Sequence, residues 1–327
     1  GTVPYSAFPL AGPRNSRRHN QPMSKSSTYV TTLTPAQIKQ LQEILLARGW
    51  LFEDLQYAHW RAKSGKSNVV AYQSGRVTVQ GPEMAELVQF TLEPEILKEA
   101  RFGYETEWAA EDNPAMFQPH AGIDESGKGD FFGPLVIACC YSDGDIARKL
   151  LAAGVTDSKA IGSDKRIAEL AKVIRDTVAG RCSVVVIGPA AYNRMYDSFQ
   201  NLNRLLAWGH ARALENLLAK VPDCPRAISD QFGRKENVLR ALQERGRAIV
   251  LEQHPRAEAD VAVAAASILA RDEFVRRLDQ LGRPYGLVLP KGAGPLVLER
   301  GRELLAQAGR ESLPGVAKMH FKTAAQL

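Results

Sequence analysis

No apolar run in this chain is long enough to cross a bilayer. The longest, PLVIACCY and VAVAAASILA, stop well short of the ~20 residues that a membrane helix needs. The opening stretch, GTVPYSAFPLAGPRNSRRHN, carries no apolar segment of the kind that directs secretion. Cysteine is scarce: Cys139 and Cys140 adjoin in an apolar run, Cys182 and Cys224 stand apart, and no C-x-x-C pair occurs. A disulfide framework and a structural zinc site are therefore without support, and a reducing cytoplasm is expected. No internal repeat or long low-complexity tract is present.

What remains is an ordinary globular composition, 45% hydrophobic and 24% charged over 327 residues, enough for one large domain or two smaller ones. The net charge of +6 favours a polyanionic partner. Residues 1–26, with Met23 near their end, are expected to be an expression leader or a native disordered tail. Residues 27–100 read as a small α+β domain. STYVTTLT forms a strand there, Thr34-Pro35 opens a helix with Ile38, Leu41 and Leu45 on one face, and QYAHWRAK, NVVAYQ and RVTVQ alternate as strands. Ser74-Gly75 turns a hairpin, and PEMAELVQFTL closes the unit as a helix. The acidic, proline-bearing stretch within 101–120 reads as a linker. From Ala121 to the C-terminus, short apolar strands (AGID, PLVIACCY, RCSVVVIG, RAISDQF, AIVLEQ) are interspersed with helices, among them a long Ala-rich one. That pattern predicts an α/β domain with a largely buried sheet.

The stretch GIDESGKGDFFGP, Gly122 to Pro134, imitates a nucleotide-binding loop, since Gly122, Gly127 and Lys128 fit G-x-x-x-x-G-K. A phosphate cradle needs a following Ser or Thr on Mg2+, and Gly129 has no hydroxyl; Asp124 and Glu125 would also repel the phosphates. SGKS at Ser64 to Ser67 fails too, because Trp60 stands where the first glycine belongs. Adjacent carboxylates at the end of a buried strand suit a hard divalent cation better than a phosphate, though an isolated Asp-Glu pair is more often a pair of solvated turn charges. Further carboxylates tip the balance. Asp230 ends the apolar run RAIS, at the strand end where ligands of open α/β sheets collect, and Glu258 and Asp260 precede the Ala-rich helix. Acidic groups that converge need a cation to coexist, which suggests two-metal hydrolysis of a phosphodiester.

At this point the residues resemble a known family. DESGKGDFFGP matches the D-E-x-G-x-G-D-x-x-G-P block of the type 2 ribonucleases H, and within them the ribonuclease HIII group. The likeness continues in order through GVTDSK, YNRMY with NLNRLLAWGHA, SDQFG, RAE with VAAASILAR, LPKGAG and AKMHFK, covering 121–327. The resemblance implies an RNase H-like catalytic domain, a central mixed sheet flanked by helices, preceded by a small α+β domain resembling half a TATA-binding protein. It implies an endonuclease that cuts the RNA strand of RNA–DNA hybrids by two-metal catalysis with Mg2+ or Mn2+, leaving 5′-phosphate and 3′-hydroxyl ends, and acting as a monomer. Asp124, Glu125 and Asp230 match three metal-binding carboxylates; Glu258 matches the fourth, with Asp260 in reserve. Ser126, Gly127, Lys128 and Gly129 fall on the loop that meets ribose 2′-hydroxyls, and Ser158 and Lys159 on a backbone-contacting turn. Lys128 stands where the type 2 enzymes carry Arg or Thr, so incision at single ribonucleotides, as in the HII group, stays an alternative, as does a non-catalytic hybrid-binding protein.

Arg61, Lys63, Lys66 and Arg76, interleaved with Tyr57, Trp60 and Tyr72, read either as a nucleic-acid face or as solvated charges beside core aromatics. His210 and His320 are expected to be structural, and Cys139 and Cys140 to be core packing.

Overall fold

The computed structural model describes residues 28–99, 102, 110–111, 113–230, 235–242, 246, 249–255 and 257–327. The expected tail, 1–26, and much of the expected linker lie outside the described residues. The chain divides into two compact units, residues 1–102 and 103–327.

The first unit contains β1 (Thr28–Thr32), α1 (Pro35–Ala47), β2 (Leu51–Glu53), β3 (Ala58–Ser64), β4 (Ser67–Tyr72) and β5 (Arg76–Gln80). Helix α1 starts on a capping box: the Thr34 hydroxyl accepts from Gln37 N, and Thr34 N donates to the Gln37 side chain. Its Ile38, Leu41 and Leu45 are buried against the sheet, a helical spacing that puts all three on one stripe. The strands pair antiparallel in the order β1-β5-β4-β3-β2. Alternation sends Trp60, Ala62, Val69, Ala71, Val77 and Val79 into the core, while Arg61, Lys63, Tyr72 and Arg76 take the other face. Trp60 is therefore not part of the basic face; it is 4% exposed and lies edge-on to Phe52 at 5.3 Å. The expected closing helix is α-helical only over α2 (Met84–Leu87) and widens to π-type turns across Val88–Leu97. Pro94 sits inside this segment, and its missing N–H and ring clash oppose a regular α-ladder.

The second unit is built on β6 (His120–Ser126), β7 (Leu135–Ser142), α3 (Gly144–Ala152), α4 (Asp164–Val178), β8 (Cys182–Ile187), α5 (Pro189–Phe199), α6 (Leu202–Leu218), β9 (Arg226–Asp230), α7 (Lys235–Ala241), β10 (Val250–His254), α8 (Val261–Gly282) and α9 (Pro295–Ala308), with short helices α10 (Leu313–Val316) and α11 (Lys322–Gln326) at the end. The sheet order is β10-β9-β6-β7-β8. Pairs β6–β7 and β7–β8 are antiparallel, and β6–β9 and β9–β10 are parallel, so the sheet is mixed. Helices α3, α4 and α8 share one core with the sheet, and α6 and α7 share the other.

Helix α8 is buried continuously from Val261 to Ala270, which is why its first half reads as unbroken small apolar residues. A Cβ on Gly122 would stand 2.1 Å from Val263 N, so only glycine lets β6 lie directly on the first turn of α8. Residues 114–117, within the expected linker, instead form a 310 turn of the second unit, with Met116 buried in its core and Arg148 over the Phe117 ring. One apolar anchor outweighs the acidic composition around it. Among the described residues no helix is long and apolar enough to cross a membrane.

Candidate active site

Strands β6 and β9 run parallel and pair through Ile123–Ser229. The next residue on each is acidic, Asp124 and Asp230, so both carboxylates leave the sheet at the same level and on the same side. Glu125 points to the opposite side, by alternation. Each face of the sheet then supplies a different holder. On the α8 side, Asp124 is hydrogen-bonded by the Ser267 hydroxyl and by Glu125 N–H at 2.8 Å. On the α6 side, fully buried His210 lies 3.0 Å from Glu125 Oε2. An ionised carboxylate can only accept, so Nε2 carries the proton there. Lys128 Nζ is 3.4 Å from the other oxygen, Oε1.

These surroundings separate the two carboxyls. Burial, then the neighbouring Glu125 charge, pushes Asp124 up to about 7 against the bonds from Ser267 and Glu125 N–H. Burial also works to raise Glu125, but His210 and Lys128 outweigh it and hold Glu125 below its ordinary range. Lys159 faces the same region. Burial draws its ammonium down, yet Asp124, Asp157, Glu258 and Asp230 together keep it above its ordinary value. The charges of Asp124, Asp230 and Glu258 thus all act on one ammonium, that of Lys159, although they come from β6, β9 and the turn Ala257–Ala259 before α8.

The turn bearing Lys159 is tied down at every residue of the Asp-Ser-Lys run. Asp157 accepts from Lys159 N at 3.1 Å, and the Ser158 and Ser267 hydroxyls are 2.6 Å apart. Arg271 donates to the Ser158 carbonyl and to Asp164. Ser126 is half-buried at the end of β6. Gly127 has φ +90°, and a Cβ there would meet Pro134 O at 2.2 Å. Gly129 is under no such demand, since a Cβ on it would find nothing within 4 Å; its small size leaves open space over the loop.

Asp260, the reserve carboxylate, has another task. It is the N-cap of α8, accepting from Ala262 N at 2.8 Å and Val263 N at 3.3 Å, and it pairs with buried His120 at 2.9 Å. That fixes the helix start and leaves Glu258, half-buried two positions earlier, as the carboxylate facing Lys159. Among the described residues, no three or more His, Cys, Asp or Glu side chains are drawn close enough to hold an ion as they stand. The donor set still fits a hard divalent cation: it is all oxygen, and burial together with the adjoining Glu125 charge disfavours the ionised form of Asp124 until a cation is bound. Lys128 and Lys159 supply the positive charge that the structure does contain beside these carboxylates.

Three contributors lie in the motif series, but sequence reasoning gave none of them its role in the site. His210, expected to be merely structural, holds Glu125; Ser267, one small residue in an apolar helix, holds Asp124; Lys318, fully buried, donates to Asp130 O and Gly133 O at 2.7 Å each and so clamps the glycine loop. His320 is structural as expected, stacking on Tyr196 with ring centroids 4.2 Å apart. Gln231 to Gly233 and Arg256, which belong to the motifs SDQFG and RAE, lie outside the described residues. On the first unit, Thr28, Val30, Tyr57, Tyr72 and Arg76 line a shallow depression on the face away from the core, and Tyr57 is 72% exposed.

A mixed five-stranded sheet covered by helices on both faces, with acidic side chains at the ends of adjoining central strands, defines a ribonuclease H-like domain. The family model for Ribonuclease HII matches residues 121–324. Ribonuclease HIII of Chlamydia pneumoniae is 44% identical over 297 residues, which cover 90% of this chain and 96% of that protein. Ribonuclease HIII of Protochlamydia amoebophila is 42% identical over 301 residues, covering 92% and 97%. The crystal structure of Bst-RNase HIII in complex with Mn2+ superposes with TM-score 0.61 at 31% identity, covering 92% of this chain and 97% of that one. The chain belongs to the type 2 ribonuclease H family, on the ribonuclease HIII side of it, and is a ribonuclease H endonuclease.

Proposed function

We propose that this enzyme hydrolyses the RNA strand of RNA–DNA hybrids, with Asp124, Glu125, Asp230 and Glu258 holding two divalent ions, Mg2+ or Mn2+. The observation that carries the reading is the pairing of Asp124 with Asp230 at the end of the parallel β6–β9 ladder, beside a lysine that also feels Glu258. When bound, such ions supply an ionised water for in-line attack and positive charge for the departing 3′-oxygen. The chain's own groups do the rest. His210 and Ser267 hold the two β6 carboxylates on opposite faces. Lys159 contributes charge toward the phosphate backbone. Ser126 to Gly129 form a loop whose open space at Gly129 admits a ribose with its 2′-hydroxyl, and Lys318 holds the Asp130 and Gly133 carbonyls that follow it.

Arg61, Lys63 and Arg76, with Tyr57 and Tyr72, give the first unit a basic, aromatic face suited to gripping the duplex. All four carboxylates come from one chain, so a monomer suffices. The four cysteines, all free, suit a reducing cytoplasm.

The test uses two end-labelled duplexes, a continuous hybrid and a DNA duplex with one ribonucleotide, incubated with Mg2+, Mn2+ or chelator. Metal-dependent cutting of the hybrid that disappears in Asp230→Asn is the expected result. Stronger cutting at the single ribonucleotide would replace hybrid hydrolysis with an HII-like repair role. Metal-independent binding without cutting would leave a hybrid-binding protein.

A further inference from the structure

Two serines far apart in sequence meet in the site, and the bond between them is used by none of the roles above. Ser158 and Ser267 are 5% and 2% exposed, and their hydroxyl oxygens lie 2.6 Å apart. Ser267 also bonds the side chain of Asp124. The polarity of this chain follows from valence. An ionised Asp124 can only accept, so the Ser267 O–H donates to it; Ser267 then has only lone pairs left, and the Ser158 O–H donates to Ser267. Ser158 immediately precedes Lys159, and Arg271, one helical turn beyond Ser267 on α8, holds the Ser158 carbonyl. Helix α8 therefore grips the turn at both its hydroxyl and its carbonyl, and reaches Asp124 from the same face. Arg271 and Lys291 in turn share Asp164 at the start of α4, which fixes the outer side of this anchor.

We propose that Ser267 is a positioning residue that couples the Asp124 carboxylate to the Lys159 turn through Ser158. A carboxylate aimed at the reacting phosphate and a lysine aimed at the nucleic-acid backbone are thereby kept in one register. Without the link each group can still fold into place, but the two no longer move as a unit. The inference rests on the reading of Asp124 as an essential site carboxylate.

The test compares Ser267→Ala, Ser158→Ala and the hydroxyl-keeping Ser267→Thr, alone and combined with Lys159→Ala, with Asp124→Asn as control. Two quantities are read: kcat on the hybrid with Mg2+, and the Kd for the hybrid in chelator, where no metal contributes. A lost hydrogen bond to a charged group corresponds to a decrease of about tenfold or more in kcat. Ser267→Ala should show it, Ser158→Ala, which loses only the neutral serine–serine bond, should fall severalfold, the double variant should be no worse than Ser267→Ala alone, and Ser267→Thr should recover most of the loss. In chelator both Ala variants should weaken hybrid binding severalfold, and that loss should vanish in the Lys159→Ala background. Equal losses with and without Lys159, or additive losses in the double variant, would overturn the coupling. Should Ser267→Ala fail to fold, Ser158→Ala decides, because it removes the link while leaving the Ser267–Asp124 bond. An active Asp124→Asn would instead overturn the underlying site, whereas an inactive one beside wild-type-like serine variants would remove only this proposal.

Discussion

Asp124→Asn should make the metal-free protein more stable while abolishing its activity. Asp124 is 9% exposed, and its carboxyl is raised from 3.8 to about 7 by burial and by Glu125. A displacement of about three pH units, at about 1.4 kcal/mol each, means that ionising Asp124 costs the fold about 4 kcal/mol. The sign follows from proton counting. Between about pH 4 and pH 7 the folded chain binds more protons at this site than the unfolded chain, so stability falls as pH rises through that window. Above it the cost is complete; below it there is none. Asparagine is neutral throughout and can still accept from Glu125 N–H. In chelator at pH 8 the variant should therefore unfold at a higher urea concentration, by about 1–2 M for a slope of about 2–3 kcal/mol per molar. At pH 4 the two proteins should unfold together. Mg2+ should stabilise the wild type far more than the variant, because binding to the folded site is linked to stability. Urea unfolding at both pH values, with and without Mg2+, measures all of this. A variant no more stable than wild type at pH 8 in chelator, or equally stabilised at pH 4, would refute the reasoning.

His210→Ala removes the donor that sits 3.0 Å from Glu125 Oε2; kcat on the hybrid should fall by about tenfold or more, while hybrid binding in chelator stays near wild type. Gly122→Ala drives a Cβ to within 2.1 Å of Val263 N and should destabilise the second unit by about 1–3 kcal/mol or more, read as a lowered melting temperature. Gly129→Ala meets nothing within 4 Å, so its melting temperature should be unchanged while kcat/KM on the hybrid drops; normal cleavage would show that the loop makes no close approach to substrate. Replacing Arg61, Lys63 and Arg76 together by Ala should flatten the dependence of log Kd on log salt by up to about 0.9 for each phosphate no longer neutralised, measured by hybrid binding at several salt concentrations.

The strands and the long helices were legible because each carries its own period. Ile38, Leu41 and Leu45 mark one helical stripe, and VAVAAASILA marks a helix with no solvent face. Asp124, Glu125 and Asp230 stood out as candidates because they end apolar runs, and the register of β6 and β9 places Asp124 beside Asp230. Other readings stayed open where a short signal depended on distant partners. Trp60 fitted a basic aromatic face or the core until the pleat turned it inward, and Asp260, held in reserve behind Glu258, is the residue that caps α8. His210, Ser267 and Lys318 fall within the motif series, but as single polar residues in apolar or mixed surroundings they do not reveal which carboxylate or carbonyl each one holds.

By itself the sequence determined the order and type of most elements, the acidic candidates at the strand ends and the motif series that links the chain to its family, because periodicity, capping and motif order are properties of neighbours along the chain. Only the tertiary structure decided which face each carboxylate takes, which groups hold it, and that Ser158 meets Ser267 across 109 positions. Those facts depend on strand register and on close approaches such as Gly122 against α8, and register is settled by the whole sheet at once.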